Sequence, residues 1–377
     1  MKPLKTGIIG AGPAGAWLAS RLANAGFEVI LFDPRAPWKK PCAGGLYTVI
    51  WDEFPELEPV KTLGLAGHKA RLVTVKNDTV EIDFTRPLYI VDREKLGEFL
   101  LDQARASGAG FIPRKIEAFS QTDSGFEISD ERGEHFQIDF LVGADGASSL
   151  ARRRLAPGWS KLDFIFTLSG HVDRVVNFPL TFYFFPGFAG YGWIFPGRDA
   201  VSIGIGAKAG QYRAEEMIGL INQMAGSAPE LGKKEFALGK DLSPAMIPGL
   251  SLRTLRNQKV AGKNWALVGD AAGAAHPVSG GGIHNAFRTA KCLADLLIAG
   301  TPELYQEKFW SFCKEELLVP CLWGPLFYKT SMQDLFAKMM VRSKSARILA
   351  GELLPGGKVK RGKVLNALLK ALAETLF

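Results

Sequence analysis

A glycine triplet near the N-terminus constrains this chain more than any other feature. Gly10-Ala11-Gly12-Pro13-Ala14-Gly15 closes a short apolar strand, Gly7-Ile8-Ile9, and opens a helix. Leu18 and Leu22 carry that helix from about Ala14 to Gly26, a natural C-terminal glycine. A second apolar run, Val29-Ile30-Leu31-Phe32, ends on Asp33. In such a strand–turn–helix–strand unit the first glycine makes the tight turn. The second lets backbone approach a pyrophosphate, and the third lets helix and strand pack closely. Bound phosphates then face a helix N-terminus, where unpaired N–H groups and the helix dipole favour negative charge. Asp33, eighteen residues after Gly15, falls where a carboxylate accepts from an adenosine ribose. The pattern implies an adenine dinucleotide and leaves NAD and FAD both open.

At 377 residues the chain suits one large α/β domain with an inserted second domain, or two domains. Its 47% hydrophobic and 22% charged residues are those of an ordinary globular protein. No apolar stretch is long enough to span a bilayer, and the first strand leaves no room for a signal peptide. Cys42, Cys292, Cys313 and Cys321 show neither metal-ligand spacing nor a disulfide framework, so a reducing cytoplasm and no metal are expected. The net charge of +8 favours anionic partners: dinucleotide phosphates, acidic substrates or an anionic lipid surface. Nucleic acid is set aside, because no recognition signature is present and the positive charge reads as scattered.

Beyond Asp33 lies a loop, 34–46, dense in Pro, Gly and Lys, and then alternating strand text from Arg71 to Phe84 with an Asn77-Asp78 turn. Asp92 precedes a helix whose Leu96, Phe99, Leu100 and Ala104 make one apolar face. Short strands near Phe111 and Phe126 lead to Phe140-Leu141-Val142-Gly143. From about Ser160 to Arg256 the text is strand-like and aromatic, with one helix near 214–224. A last strand, Trp265 to Val268, and a long helix from about Gly282 to Leu297 return to the style of the N-terminus.

Two further motifs follow the glycine triplet. One is Gly143-Ala144-Asp145-Gly146, continuing through Ser148, Ser149, Arg152 and Arg153. The other is Gly269-Asp270, continuing through Gly273 and His276-Pro277 to Gly280-Gly281-Gly282. In this order the three resemble the glutathione-reductase-type FAD fold of the class A flavoprotein monooxygenases and geranylgeranyl reductases. The resemblance covers most of the first 300 residues and selects FAD over NAD as the tightly bound nucleotide. It implies that Gly10, Gly12, Pro13, Ala14, Gly15, Asp33, Pro34 and Arg35 hold the adenosine end. Asp145 and Gly146 would support the pyrophosphate region, and Gly269 and Asp270 would meet the ribityl chain. Gly280, Gly281, Gly282 and Ile283 would aim N–H groups at the flavin pyrimidine, and Arg93 sits where the family has a flavin-contacting arginine.

Two stretches point to the reductase side. Lys40-Pro41-Cys42-Ala43-Gly44-Gly45-Leu46 is similar to the Pro-Cys-Gly-Gly-Gly-Leu segment of geranylgeranyl reductases, with Ala43 in place of a glycine. Tyr191-Gly192-Trp193-Ile194-Phe195-Pro196, followed after seven residues by Gly204-Ile205-Gly206, is similar to the family's aromatic signature. Cys42, Ala43 and Gly44 are therefore expected beside the cofactor, and Tyr191, Trp193 and Phe195 as an apolar wall for substrate. Each has a plain alternative, a buried small residue for Cys42 and one packed sheet face for the aromatics. Cys42, beside Lys39 and Lys40, Tyr191 and His276 are the candidate catalytic groups. His276 has the alternative of a turn hydrogen-bonder, and His284 reads as structural.

From Lys358 to Phe377 the apolar Val364, Leu365, Leu368, Leu369, Leu372 and Leu376 fall at helical spacing, opposite Lys363 and Lys370 and after Lys360 and Arg361. Such a helix either lies on anionic membrane or covers its own core, and the second reading is preferred. The expected architecture is α/β: a Rossmann-like FAD-binding domain interleaved with an antiparallel-sheet (α+β) substrate domain, plus a helical tail. The FAD-binding domain comprises 1–60, 90–157 and 258–300, the substrate domain 61–89 and 158–257, and the tail 301–377. The resemblance implies FAD-dependent reduction of carbon–carbon double bonds in a prenyl or other apolar polyene, with NAD(P)H or another small reductant as electron donor. The alternatives are an FAD- and NAD(P)H-dependent hydroxylase of an aromatic or polyketide substrate, and a membrane-associated flavin protein without turnover. The expected partner is an apolar small molecule or lipid.

Overall fold

A computed structural model describes residues 4–37, 40–228, 231–232, 235–357 and 359–376. Lys39, Lys358 and Phe377 lie outside the described residues, as do the side chains of Arg361 and Leu376. The chain divides into two compact units, residues 1–40, 93–164 and 246–322 in the first and 41–92, 165–245 and 323–377 in the second.

The first unit is built on a six-stranded sheet in the order Ala261–Gly262, Trp265–Leu267, Phe140–Gly143, Lys5–Ile9, Glu28–Phe32, Gly110–Ile112. Lys5–Ile9 runs parallel to both of its neighbours, and only Ala261–Gly262 is antiparallel. Ile8, Leu31, Leu141 and Val142 are fully buried, as a parallel sheet covered on both faces requires. The helices Pro13–Asn24, Arg93–Ala106 and Ile283–Ile298 cover it, the first packed against the other two. From Lys5–Ile9 the chain steps to Glu28–Phe32 on one side, and Phe140–Gly143 joins on the other. The strand order therefore reverses at Lys5–Ile9, and a crevice at the carboxyl ends of these strands is where ligands bind in open α/β sheets. A three-stranded antiparallel sheet, Ile116–Gln121, Phe126–Asp130 and His135–Ile138, completes the unit.

The second unit holds an eight-stranded sheet in the order Ser243–Pro248, Phe164–Val172, Val201–Lys208, Gly190–Pro196, Leu180–Tyr183, Gly64–Val73, Thr79–Val91, Gly45–Tyr47. The long hairpin Gly64–Val73/Thr79–Val91 turns through Asn77 at φ 63°, as its Asn-Asp pair implies. Leu168, Ile194, Ile203 and Ile205 bury one face with Met217, Ile221 and Met224 of the helix Ala214–Gly226. Ala70, Leu72 and Ile82 meet Met339, Met340, Ala346 and Ala371 from the helices Thr330–Arg342, Lys344–Leu353 and Arg361–Leu376.

The unit boundaries differ from those expected at 60 and 300. Residues 41–60 cluster with the antiparallel sheet because Gly45–Tyr47 is its edge strand, paired with Thr79–Val91. The expected tail is also divided. Tyr305 is fully buried in the first unit, its hydroxyl donating to the Leu267 carbonyl at 3.0 Å. The helices after Trp323 belong to the second unit, where Gly351 lets its helix lie on the backbone of Asp83. Among the described residues no helix is long and apolar enough to cross a membrane.

Candidate active site

The dinucleotide motifs all lie in the first unit, and each glycine of the triplet meets a different demand. Gly10 has φ 104°, and a Cβ there would strike the Ala144 carbonyl oxygen, so the turn closes directly against the end of Phe140–Gly143. Gly15 packs on the Gly10 carbonyl with no room for a methyl group. Gly12 has nothing within 4 Å of where its Cβ would stand. It is the N-cap of Pro13–Asn24 and offers that helix no side-chain cap, so a bare backbone and a helix N-terminus face the same open space. A pyrophosphate fits there.

Asp33 is held by the protein itself. Its Oδ2 accepts from Ala11 N–H at 2.9 Å, and Oδ1 accepts from Arg35 and Ala36 N–H at 2.8 and 3.1 Å. The carboxylate thus ties the second strand to the glycine turn, with lone pairs left for a ribose hydroxyl. Pro34 and Arg35 are exposed just beyond it. Ala14 is buried and touches the position of a Cβ on Gly269 at 3.2 Å, which joins the first and third motifs.

Asp145 acts on its own chain. Ser149 Oγ donates to its Oδ1, and Leu150 and Ala151 N–H donate to its Oδ2 at 2.6 and 3.2 Å. It therefore secures the N-terminus of the short helix Leu150–Leu155, with Gly146 at φ 76° in the turn between. Burial pushes its carboxyl above the ordinary range, against the hydrogen bonds that pull it down. Arg152, one turn on, is buried with its guanidinium over the Trp159 ring at 3.9 Å.

Asp270 receives Lys40 Nζ at 3.3 Å, an ion pair that the sequence did not suggest. Its Oδ1 stands 3.0 Å from where a Cβ on Gly282 would lie, so glycine there leaves the carboxylate its place. The triglycine turn differs from expectation in one respect. Gly280 N–H donates to the His276 carbonyl at 2.9 Å and Gly281 N–H to Ser279 Oγ at 3.3 Å, so both are spent inside the loop. The amides left in position are those of Gly282 and Ile283, which open the helix Ile283–Ile298 without a side-chain cap. Arg93 is half-buried at the first position of Arg93–Ala106.

His276 takes the turn-forming role. Its Nδ1 accepts from Val278 and Ser279 N–H at 3.3 and 3.1 Å, which puts the ring proton on Nε2. Burial pushes its pKa down to about 4, so it is neutral at physiological pH.

The second unit carries the other expected residues. Tyr191, Trp193 and Phe195 alternate along Gly190–Pro196 and so share one face. Phe182, opposite Trp193 on the neighbouring strand, joins this face, with ring centroids 6.1 Å from Tyr191 and 4.9 Å from Phe195. Trp193 and Phe195 are buried in a core cluster with Leu88, Ile90 and Leu180, as the alternative of a packed sheet face expects. On the other side Trp193 pairs with Gly204 and Tyr191 with Gly206. The indole lies across Gly204, where a Cβ would collide with its six-membered ring. The aromatic and Gly-x-Gly parts of the signature are therefore one packing unit.

Trp193 Nε1 donates to Ser202 Oγ at 3.1 Å, and Ser202 Oγ donates in turn to the Cys42 carbonyl at 3.5 Å. The cysteine loop is thereby tied to the aromatic strand. Cys42 Sγ accepts from Gly44 N–H at 3.4 Å, and Ala43 packs on the cluster of Leu88, Trp193 and Phe195. Burial first, and then Tyr47 and Cys42 nearby, push the Tyr191 hydroxyl above its ordinary value. Tyr328 is pushed up by burial first and then by Tyr191.

Of the three candidate catalytic groups, Cys42 and Tyr191 come together in the second unit and His276 belongs to the first. Sequence reasoning missed Ser202, Phe182, Tyr47 and Tyr328. The aromatic alternation around Phe182 was a usable signal, whereas nothing in the text links Tyr328 to Tyr191.

Comparison with known proteins bears on this arrangement. Residues 4–163 match the FAD binding domain family. With the cradle at Gly12 and the Asp270 carboxylate, this makes the chain an FAD-dependent oxidoreductase. A geranylgeranyl diphosphate reductase of Rhodobacter capsulatus is 29% identical over 309 residues, 78% of this chain and 74% of that protein. A menaquinone reductase of Mycobacterium tuberculosis is 28% identical over 314 residues, 77% of this chain and 75% of that protein. The fold is also that of a geranylgeranyl bacteriochlorophyll reductase-like protein from Thermoplasma acidophilum, with TM-score 0.71, 20% identity and coverage of 100% and 97% of the two chains. A probable FAD-dependent monooxygenase from Pseudomonas aeruginosa gives TM-score 0.66 at 18% identity, covering 93% and 99%. The chain is thus similar in sequence to geranylgeranyl diphosphate reductases and shares its fold with reductase-like and monooxygenase flavoproteins.

Proposed function

We propose that this flavoprotein reduces carbon–carbon double bonds in a prenyl, geranylgeranyl-type chain or another apolar polyene. The observation that carries the reading is the aromatic platform of Phe182, Tyr191, Trp193 and Phe195, tied through Ser202 to the Cys42 loop. A face of this kind binds by apolar area and has little to offer a charged group. When bound, FAD supplies two-electron transfer, replenished by NAD(P)H or another small reductant. Gly10, Gly12 and Gly15 with the helix N-terminus hold its pyrophosphate, Asp33 the ribose, and Asp270 the ribityl hydroxyls. Gly282 and Ile283 N–H serve the pyrimidine edge, where negative charge accumulates.

An isolated alkene is a poor hydride acceptor, so reduction needs a dry site and a positioned proton. Tyr191 is our first candidate for the donor: burial keeps its hydroxyl protonated. Cys42 is the second donor. Among the described residues none of the four cysteines is in a disulfide, which supports a cytoplasmic location.

The test is anaerobic. Reduced holoenzyme is mixed with prenyl lipids, and the flavin absorbance is followed together with lipid mass. The reading expects reoxidation coupled to a gain of two hydrogens per bond. The likeness in fold to a monooxygenase favours hydroxylation as the second reading. That reading expects no anaerobic reoxidation by substrate, and oxygen from O₂ in the product.

A further inference from the structure

The chain's net charge is +8, and residues 323–377 hold ten Lys and Arg against three Asp and Glu, a net +7. Almost all of the excess therefore sits in one helical segment, which corrects the scattered charge read from the sequence. Two of the three carboxylates are engaged within the segment. Glu352 binds Lys363 at 2.6 Å, and Glu374 accepts from Ser343 and Ser345 hydroxyls at 2.6 and 2.7 Å. Lys329, Lys338, Lys344, Lys360 and Lys370 are exposed.

The helix Arg361–Leu376 turns Ala371 and Thr375 inward, as the covering role preferred from sequence requires. Its apolar arc is wider than that contact. Leu365 and Leu369, one turn apart, remain 59% and 57% exposed, with Leu368 beside them and Ile348 exposed on the helix Lys344–Leu353. Lys370, the residue after Leu369, stands about 100° further round the helix, past Ala373 and Asn366.

We propose that this face docks on an anionic lipid bilayer, with Arg361–Leu376 lying in the plane of the interface. Exposed leucines flanked by lysines, in a segment of +7, match a surface that is apolar below and negative above. A nucleic-acid backbone would attract the lysines but has no use for the leucines, and a second copy of the chain would bring like charge against like. Docking rests on the surface alone and is independent of which alkene is reduced.

The test is sedimentation of holoenzyme with vesicles, either phosphatidylcholine alone or phosphatidylcholine with phosphatidylglycerol in equal parts. The full chain is expected to bind the anionic vesicles, less so as salt rises. L365E/L369E should weaken binding by at least about 100-fold. K360Q/K370Q should weaken it by roughly 25-fold on anionic vesicles only, and its solvated positions keep the test valid if the leucine variant misfolds. Flavin content and thermal midpoint should match the parent protein. The proposal is overturned if the parent protein stays in the supernatant or if both variants bind as it does. It is equally overturned if the lysine variant loses affinity for a DNA duplex and not for vesicles, or if the leucine variant merely turns a dimer into a monomer. Sedimentation involves no turnover, so failure here and failure of the reductase reading are separate results.

Discussion

Replacing Gly12 and Gly15 by alanine, one at a time, separates a residue kept for the cofactor from one kept for the fold. Gly12 has φ −69° and ψ −177°, extended backbone that any residue adopts, and nothing within 4 Å of a Cβ. Gly12→Ala should therefore leave the apoprotein as stable as before, or about 0.4–1 kcal/mol more stable through the reduced entropy of the unfolded chain. The new methyl group instead occupies the space through which a pyrophosphate approaches. Losing one hydrogen bond to a charged group costs about 1.5–3 kcal/mol, so Kd for FAD should rise about ten- to a hundredfold. Gly15→Ala does the reverse, because its Cβ would overlap the Gly10 carbonyl. Overpacking of about 1–3 kcal/mol, reduced by the better helix propensity of alanine, should lower the apoprotein melting temperature by several degrees. Circular dichroism melts of apoprotein and titration of flavin fluorescence read the two effects separately. The reasoning fails if Gly12→Ala melts as low as Gly15→Ala, or if it binds FAD like the parent.

Three further outcomes follow from the contacts. Ser202→Ala should cost about 1–3 kcal/mol of stability by leaving the buried Trp193 N–H without its acceptor, seen as a lowered denaturation midpoint. His276 binds a proton more weakly in the folded state, at about 4 against 6.5 unfolded, so stability should fall as pH drops from about 6.5 to 4. Its share is on the order of 3 kcal/mol at most, and His276→Asn, which keeps an acceptor for the turn, should flatten that slope in pH-dependent urea melts. Tyr191→Phe should lower kcat for alkene reduction about 10²–10⁴-fold with FAD affinity unchanged; a variant with normal turnover would pass the donor role to Cys42.

How much was legible follows the length scale of each interaction. The triplet, its strand and its helix were readable because the contacts that shape the turn, Gly15 on Gly10 and Asp33 on Ala11, fall within about thirty residues, and Asp33 could be placed by counting. The Gly-Asp motifs were readable as members of an ordered set, but what their atoms do was not. Asp145 caps its own helix, and Gly280 and Gly281 satisfy their own loop, because a buried N–H or carboxylate takes the nearest partner. Lys40 reaches Asp270 across 230 positions, a pairing no periodicity encodes. The concentration of charge in the tail escapes notice for a different reason: over the whole chain, 46 bases against 38 acids look diffuse.

The two motifs that narrowed the family describe the shape of a surface, and the chemistry has to be argued from the protons on it. Trp193 and Gly204 occur together because one lies on the other, which any reaction over that platform could use. What distinguishes a reductase is a proton delivered to carbon at the moment of hydride transfer. Tyr191, held protonated by burial, is a weak acid, and it can serve only by proximity in a dry site. Its contribution should then be independent of pH from about 5 to 9, since Tyr191 ionises above that window and His276 below it. Single-turnover rates for alkene reduction by pre-reduced enzyme, measured across that window, should be level. A limb with a midpoint near 6 or 7 would remove Tyr191 as the donor and point to a group that titrates there.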